Sequence, residues 1–391
     1  MSRLARAAFL LAVALAPGFL AGISRASARS EPSDPPIAWR FQAASPVSAA
    51  PAVASSGNVY LASVEGVVHA LAADGHLRWS YGVSQSPIGE PSLDAHERIY
   101  LATSTLLHSF QSDGRLRWRR QGRARIRSGA VWLAPGRVLY LGGDYLGDEQ
   151  ALYALSSTGD AARRIALGGS VISASSELFT SPGAVAAVAS GKQGAELWRW
   201  SRAGRVQRLP LPERVRGVSG LQVLAAGERL WLVLAGELHA LEPGDSRVVA
   251  WSVPARQATV SASGEALLID TGSELRWLSA RSGETVYRAP LRETVSAALA
   301  LTNAGVALVP LASGELLLAS PGSAELARLR VGAAPLLRPI WSEAAGQATV
   351  AAGDGALVVL QLRGWSALEP QRSPGEADAA AFARSLEVGG Q

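Results

Sequence analysis

The stretch VYLASVEGVVHALAADGHLRW, residues 59–79, decides the fold. Two apolar runs, Val59 to Ala62 and Val67 to Leu71, are separated by Glu65-Gly66, and a third, Leu77 to Tyr81, follows Asp74-Gly75. Asp-Gly between apolar runs is a hairpin signal, because the turn needs positive φ and glycine adopts it without steric cost. Upstream, Pro51 to Ala54 and the turn Ser56-Gly57 add one more strand-length segment. The layout of four short strands returns at once: Ile99 to Ala102, Leu107 to Phe110, the turn Asp113-Gly114, then Leu116-Arg-Trp118.

Working outward, glycines recur at Gly75, Gly114, Gly159, Gly204, Gly244, Gly283, Gly322 and Gly364, at intervals of 39 to 45 residues. A period near 40 residues filled with short apolar strands is the mark of a β-propeller. One sheet of four short strands cannot bury both faces, but a ring of such sheets can. The expected fold is all-β, an eight-bladed propeller of four-stranded antiparallel blades at about 51–81, 91–120, 130–165, 177–211, 220–253, 258–291, 299–331 and 335–362. Seven blades is the alternative. Four residues after the periodic glycine stand Trp79, Trp118, Val248, Tyr287, Leu326 and Leu368, with Arg163 and Arg208 in repeats three and four. Trp79 and Trp118 are expected to wedge between neighbouring blades. Ile37-Ala-Trp-Arg-Phe41 mimics Leu77-Arg-Trp-Ser-Tyr81, with Trp39 in the tryptophan slot, and so is expected to complete the last blade. A separate fourth strand at 365–369, after Gly364, is the competing closure.

The string from Val59 to Trp79, with Gly-x-x-x-Ala-Leu-x-x-x-Gly-x-x-x-Trp, resembles the quinoprotein-type repeat of pyrroloquinoline-quinone-like propellers. The resemblance is strongest in the first two repeats and spans about residues 37–370. It implies a propeller. The family holds quinone-dependent dehydrogenases and also non-enzymatic propellers, such as the propeller subunit of the outer-membrane β-barrel assembly machinery.

The N-terminus reads as an export signal, residues 1–28: Arg3 and Arg6 precede the apolar stretch Ala7 to Ile23, and Ala26-Ser27-Ala28 is a small-residue cleavage site. An uncleaved membrane anchor is the alternative. Residues 29–36 read as a stiff linker, 37–370 as the propeller and 371–391 as a flexible polar tail. The 391-residue chain has no cysteine, which excludes disulfides, thiol catalysis and lipid attachment through an N-terminal cysteine. Removing residues 1–28 takes away three of the 37 basic side chains, leaving 34 against 32 acidic. There is no polybasic tract, and export argues against nucleic-acid binding.

Candidate chemistry is sparse. His69, His108 and His239 occupy one repeat position on different blades, so they point in different directions and cannot share a metal; they read as half-buried strand residues. His76 and His96 fall in or beside turns. Asp144, Asp148 and Glu149 lie in the longest second-to-third-strand loop; they could hold a hard cation, but their spacing does not match an EF-hand. No phosphate-binding loop, zinc-protease helix or Cys-x-x-Cys pair occurs. For the quinone enzymes the resemblance implies a catalytic aspartate and a calcium site with acidic and asparagine ligands. Here the only asparagines, Asn58 and Asn303, sit at strand-edge turns, so architecture carries over and catalysis does not. No catalytic residue, metal or cofactor is assigned.

Strand order separates the two ends of the ring. Tight glycine turns occupy one end, and the second-to-third-strand and blade-to-blade connections occupy the other. The blade-to-blade connections carry Arg123, Arg125, Arg127, Arg214, Arg216, Arg256, Arg292 and Arg338; the strand connections carry Glu65, Asp144, Asp148, Glu149, Glu237, Asp270, Glu274, Glu315 and Asp354. Arginines at a channel mouth can grip carboxylate or phosphate groups in pairs of hydrogen bonds, and these eight form the expected partner-binding set. The competing expectation is a solvated rim on which arginines and acids pair with each other. The sequence reads as a monomeric, exported, non-catalytic scaffold, periplasmic or secreted, that binds an envelope protein or peptide segment. Its alternatives are a quinone-dependent oxidoreductase and a carbohydrate-binding propeller.

Overall fold

A computed structural model describes residues 35–365, except 134–135, 144–149, 161–162, 168–169, 172–178, 182–183, 192–193, 202–204, 213–220, 227–228, 243–244 and 364. The described chain forms eight antiparallel sheets and no helix. Each sheet is one blade, and in seven of them the strands follow in chain order from the inner edge to the outer. Blade one runs from Ala52–Val53 through Val59–Ala62 and Val67–Leu71 to Leu77–Gly82. Blade two runs from Pro87–Leu93 to Leu116–Gln121. In blades three and four the inner strand is broken into two short pieces, such as Arg125–Ile126 and Val131–Leu133.

The ring closes through the N-terminus. Strand Ile37–Gln42 pairs with Ala356–Gln361, Trp39 opposite Val359 and Phe41 opposite Leu357, as the fourth strand of blade eight. The competing strand at 365–369 lies almost wholly outside the described residues.

The middle strands are buried on both faces. Val59–Ala62, Ile99–Thr103 and Ala266–Asp270 are buried at every position, so they read as continuous apolar runs without alternation. Their side chains form eight separate apolar cores, one between each pair of adjacent blades. Between blades one and two, Tyr60, Val68 and Ala70 meet Ile99, Leu101 and Phe110. Between blades eight and one, Ala351 and Leu357 meet Val59, Leu61 and Leu71. No blade owns a core, so each depends on its neighbours for apolar burial. At the inner edges, polar side chains tie successive blades: Gln222 Nε2 donates to Ala258 O at 2.9 Å, and Ser92 Oγ to Ala130 O at 2.6 Å.

The outer tryptophans explain the periodic glycine. Trp39, Trp79 and Trp118 donate from Nε1 to Ala73 O, Ser112 O and Ser157 O of the next blade, at 2.7, 2.9 and 2.9 Å. Their rings press on Gly75, Gly114 and Gly159, where a Cβ would stand 2.7–2.8 Å from ring carbons. Those glycines also have φ of 83–90°. Two independent constraints therefore select glycine at one position.

Two expectations need correction. In blade five Val248 does not fill the tryptophan slot; it is exposed, and Trp251 fills the slot, donating to Arg281 O at 3.0 Å with its ring against Gly283. The ten-residue strand Asp245–Pro254 shifts register twice against its partner, and those bulges displace the tryptophan along the sequence. The three strand histidines are not half-buried: His69, His108 and His239 are 8%, 2% and 3% exposed, because their strands face the next blade rather than solvent.

Candidate binding face

The connections at the second-to-third-strand end carry the predicted arginines. Arg123 is exposed in the link from blade two to blade three, where its backbone N–H reaches the Tyr140 hydroxyl at 3.3 Å. Arg125 is exposed in the short strand Arg125–Ile126, which pairs with Gly142 and Gly143. Arg127 is partly buried, with its backbone N–H on Leu141 O at 2.8 Å. Arg256 is exposed between blades five and six; its backbone N–H bonds Asp270 O at 2.7 Å, and its guanidinium covers Gly272 so closely that a Cβ there would stand 2.3 Å from Cζ. Arg292 is exposed after blade six. Arg214 and Arg216 lie outside the described residues, as do Asp144, Asp148 and Glu149.

Arg338 is the arginine whose partner the sequence did not indicate. It lies between blades seven and eight, yet its guanidinium grips the Glu90 carboxylate of blade two, Nε to Oε1 at 3.1 Å with Nη2 on Oε2. The pair reaches across blade one. Glu90 can be there because the inner strand of blade two bulges between Ile88 and Ser92, where Gly89, at φ 68°, packs so tightly on the backbone of Gly129 that a Cβ on it would stand 2.9 Å away. A glycine inside a strand pattern is the signal that would have pointed to this bulge.

The acids of this end are mostly committed within their own blades. Asp270 is buried and accepts from Gly272 N at 2.6 Å and Gln257 Nε2 at 3.3 Å. Glu274 pairs with Arg276. Glu315 pairs with Arg328 at 3.2 Å, and Arg328 also takes Glu293 and Glu325. Asp354 accepts from Ala333 N at 2.7 Å and Ala356 N at 3.1 Å, fastening the link that carries Arg338. Burial opposes its ionisation, but these backbone donors outweigh burial and hold the carboxyl below its ordinary range. The rim is thus partly self-paired, around Arg328 and Arg338, and the remaining predicted arginines are spread over several links rather than gathered at one point.

The histidines stay apart. His69 Nδ1 is 2.9 Å from Ser80 Oγ and its ring lies 5.8 Å from Phe41, in the core between blades eight and one. His108 stacks on Phe110 at 6.1 Å; burial, and secondarily Arg119, push its pKa down to about 4. Among the described residues no three His, Asp or Glu side chains are grouped to hold a metal ion. Asn58 Nδ2 donates to Glu97 at 2.9 Å, and Asn303 Oδ1 accepts from Ser263 N at 3.2 Å, each at a turn at the end of a strand.

Residues 30–182 match the family model described as outer membrane protein assembly factor BamB. Among solved structures, the chain is similar to BamB from Moraxella catarrhalis, at 13% identity and TM-score 0.62, covering 83% of this chain and 96% of that one. It is equally similar in fold to a quinohemoprotein alcohol dehydrogenase from Pseudomonas putida HK5, at 11% identity and TM-score 0.62, covering 86% and 78%. No curated protein matches the chain. The likeness to solved structures establishes the β-propeller fold, and the two neighbours are named for different roles.

Proposed function

We propose that the chain is an exported, non-catalytic propeller that binds an envelope protein, or an extended segment of one, on its connection-bearing end. Residues 1–28 serve as its signal peptide, 29–36 as a linker and 371–391 as a tail outside the propeller. The observation that carries the reading is the exposed arginine set of the blade-to-blade links, Arg123, Arg125, Arg256 and Arg292, at an end whose second-to-third-strand links are themselves tight glycine turns at Gly66, Gly236, Gly314 and Gly355 and so leave the arginine-bearing links as its larger contact surface. The assembly-factor match over residues 30–182 supports a protein partner, and a role in outer-membrane protein assembly is the specific form it favours. Arg338 would join the set when a partner carboxylate replaces Glu90. Arg127, Arg214 and Arg216 complete the proposed surface. Affinity capture from envelope extracts tests this, comparing the wild type with Arg123→Glu/Arg125→Glu. The same proteins captured by both would remove this surface from the function.

The dehydrogenase neighbour supports a second reading, quinone-dependent oxidation. Adding pyrroloquinoline quinone and calcium to the purified protein decides it: a bound chromophore with dye reduction would favour the enzyme.

A further inference from the structure

The flank of blades eight, one and two carries a feature that protein binding at the other end does not use. Among the described residues the exposed large aliphatic side chains are Ile37, Leu77, Leu116 and Val248, 42%, 52%, 39% and 48% exposed. The first three occupy one repeat position. Each opens the outer strand of its blade, two residues ahead of Trp39, Trp79 or Trp118. They stand on three consecutive blades, at the turn-bearing end of the ring.

The same three outer strands carry Arg40, Arg78, Arg117, Arg119 and Arg120 and no carboxylate. Arg40, Arg78, Arg119 and Arg120 are exposed. Arg117 turns inward to Tyr100, Ser109 and Ser157 O, and Arg120 reaches Gly159 O at 3.2 Å and Asp160 at 3.4 Å. Of the acids near these strands, Asp74 and Asp113 are occupied in their own turns by His76 and Arg115, while Asp160 pairs with Arg120 and Glu97 lies within electrostatic reach of Arg78.

We infer that this flank rests on a phospholipid surface with anionic headgroups. The aliphatic tips enter the interface, and the arginines beside them meet lipid phosphates. The spacing of the tips favours lipid over a protein partner. They are single side chains one blade apart, on a wall that turns through about a quarter of a circle across three blades of eight. A rigid protein face would meet one blade. An interface about 5–10 Å deep takes all three, the central and most exposed Leu77 deepest. The contact directs the turn-bearing end toward the bilayer and leaves the connection-bearing end open.

The test is sedimentation of the full chain with phosphatidylcholine vesicles, with and without phosphatidylglycerol, at low and high salt. The wild type is expected to bind the anionic vesicles, to release at high salt, and to lose about tenfold in partitioning in Leu77→Glu/Leu116→Glu and in Arg119→Glu/Arg120→Glu. The N-terminal segment is common to all variants, and circular dichroism verifies their folding. Partitioning that is unchanged in the leucine variant overturns the inference. So does a wild type that ignores anionic vesicles but forms a dimer, or binds an acidic peptide, through the same residues.

Discussion

The indole of Trp39 closes the ring by pressing on Gly75: a Cβ on that glycine would stand 2.7 Å from the ring, and Trp39 Nε1 donates to Ala73 O at 2.7 Å. The contact joins the first strand of the described chain to blade one, and the same strand pairs with Ala356–Gln361 of the last blade. One short segment therefore latches the two ends of the repeat together. Its energetics can be measured separately from those of the other blades.

Trp39→Ala should destabilise the protein by about 2 kcal/mol, less than a fully buried tryptophan because the ring is only half-buried. Trp39→Phe should cost about 1 kcal/mol, the loss of the indole hydrogen bond. Urea unfolding gives both values. Equal stability of the alanine variant and the wild type would mean that the ring is latched elsewhere.

Two glycines with the same backbone conformation separate strain from contact. Gly236 has φ 84° and nothing within 4 Å of a built Cβ; Gly75 has φ 88° and the Trp39 ring. Gly236→Ala should cost roughly 1–2 kcal/mol from the left-handed backbone alone. Gly75→Ala should cost about 1–3 kcal/mol more, from overpacking against the indole. Thermal unfolding of the pair checks the difference.

Acid should weaken the fold in two steps. Burial lowers the His108 pKa from 6.5 to about 4, so between those values the unfolded chain takes a proton that the folded chain refuses. The stabilising contribution is whole above pH 6.5, falls as the pH drops and reaches its floor near pH 4, a loss of up to about 3 kcal/mol. His108→Gln should shrink the loss across this window, leaving the part due to His69, whose pKa burial also lowers.

The second step lies lower. The Asp94 side chain is fully buried and accepts from His96 N at 2.8 Å, Arg98 N at 3.0 Å and Tyr100 Oη at 3.0 Å, with Arg98 Nε also on the carboxylate. Burial raises its pKa, but these donors prevail and hold it below the ordinary carboxylate value. Its contribution is present above the ordinary value and is lost as pH falls through the folded one. Asp94→Asn should cost about 2 kcal/mol at neutral pH and remove the lower step. A lower step that persisted in this variant would assign it to another carboxylate.

The Arg338–Glu90 pair should contribute little to stability, since the side chains are 44% and 37% exposed. A double-mutant cycle with Arg338→Ala and Glu90→Ala should give a coupling of about 0–1 kcal/mol that shrinks with added salt.

Most of the architecture was legible because its signals are local. Asp74-Gly75 and Asp113-Gly114 mark turns, the apolar runs mark strands, and Ile37 to Phe41 copies Leu77 to Tyr81 closely enough to identify the closing strand. Blade five was misread at Val248 because bulges shift the tryptophan along the strand, and a bulge leaves little trace in spacing. The histidines were placed too near solvent because burial in a ring is set by the neighbouring blade, about 40 residues away. The arginines of the connection-bearing end were identifiable as a group, but not the partner of any one of them.

By itself, the chain's order of residues determined the propeller architecture, the strand order within a blade and the end where the charged connections gather, since all three follow from a repeated local pattern; the choice of eight blades over seven came from the structure. Only the tertiary structure decided that Arg338 meets Glu90 across an intervening blade, and that Ile37, Leu77 and Leu116, which share a repeat position, are left exposed side by side on adjacent blades. Those relationships depend on how the ring brings distant repeats side by side, and no local periodicity encodes that distance.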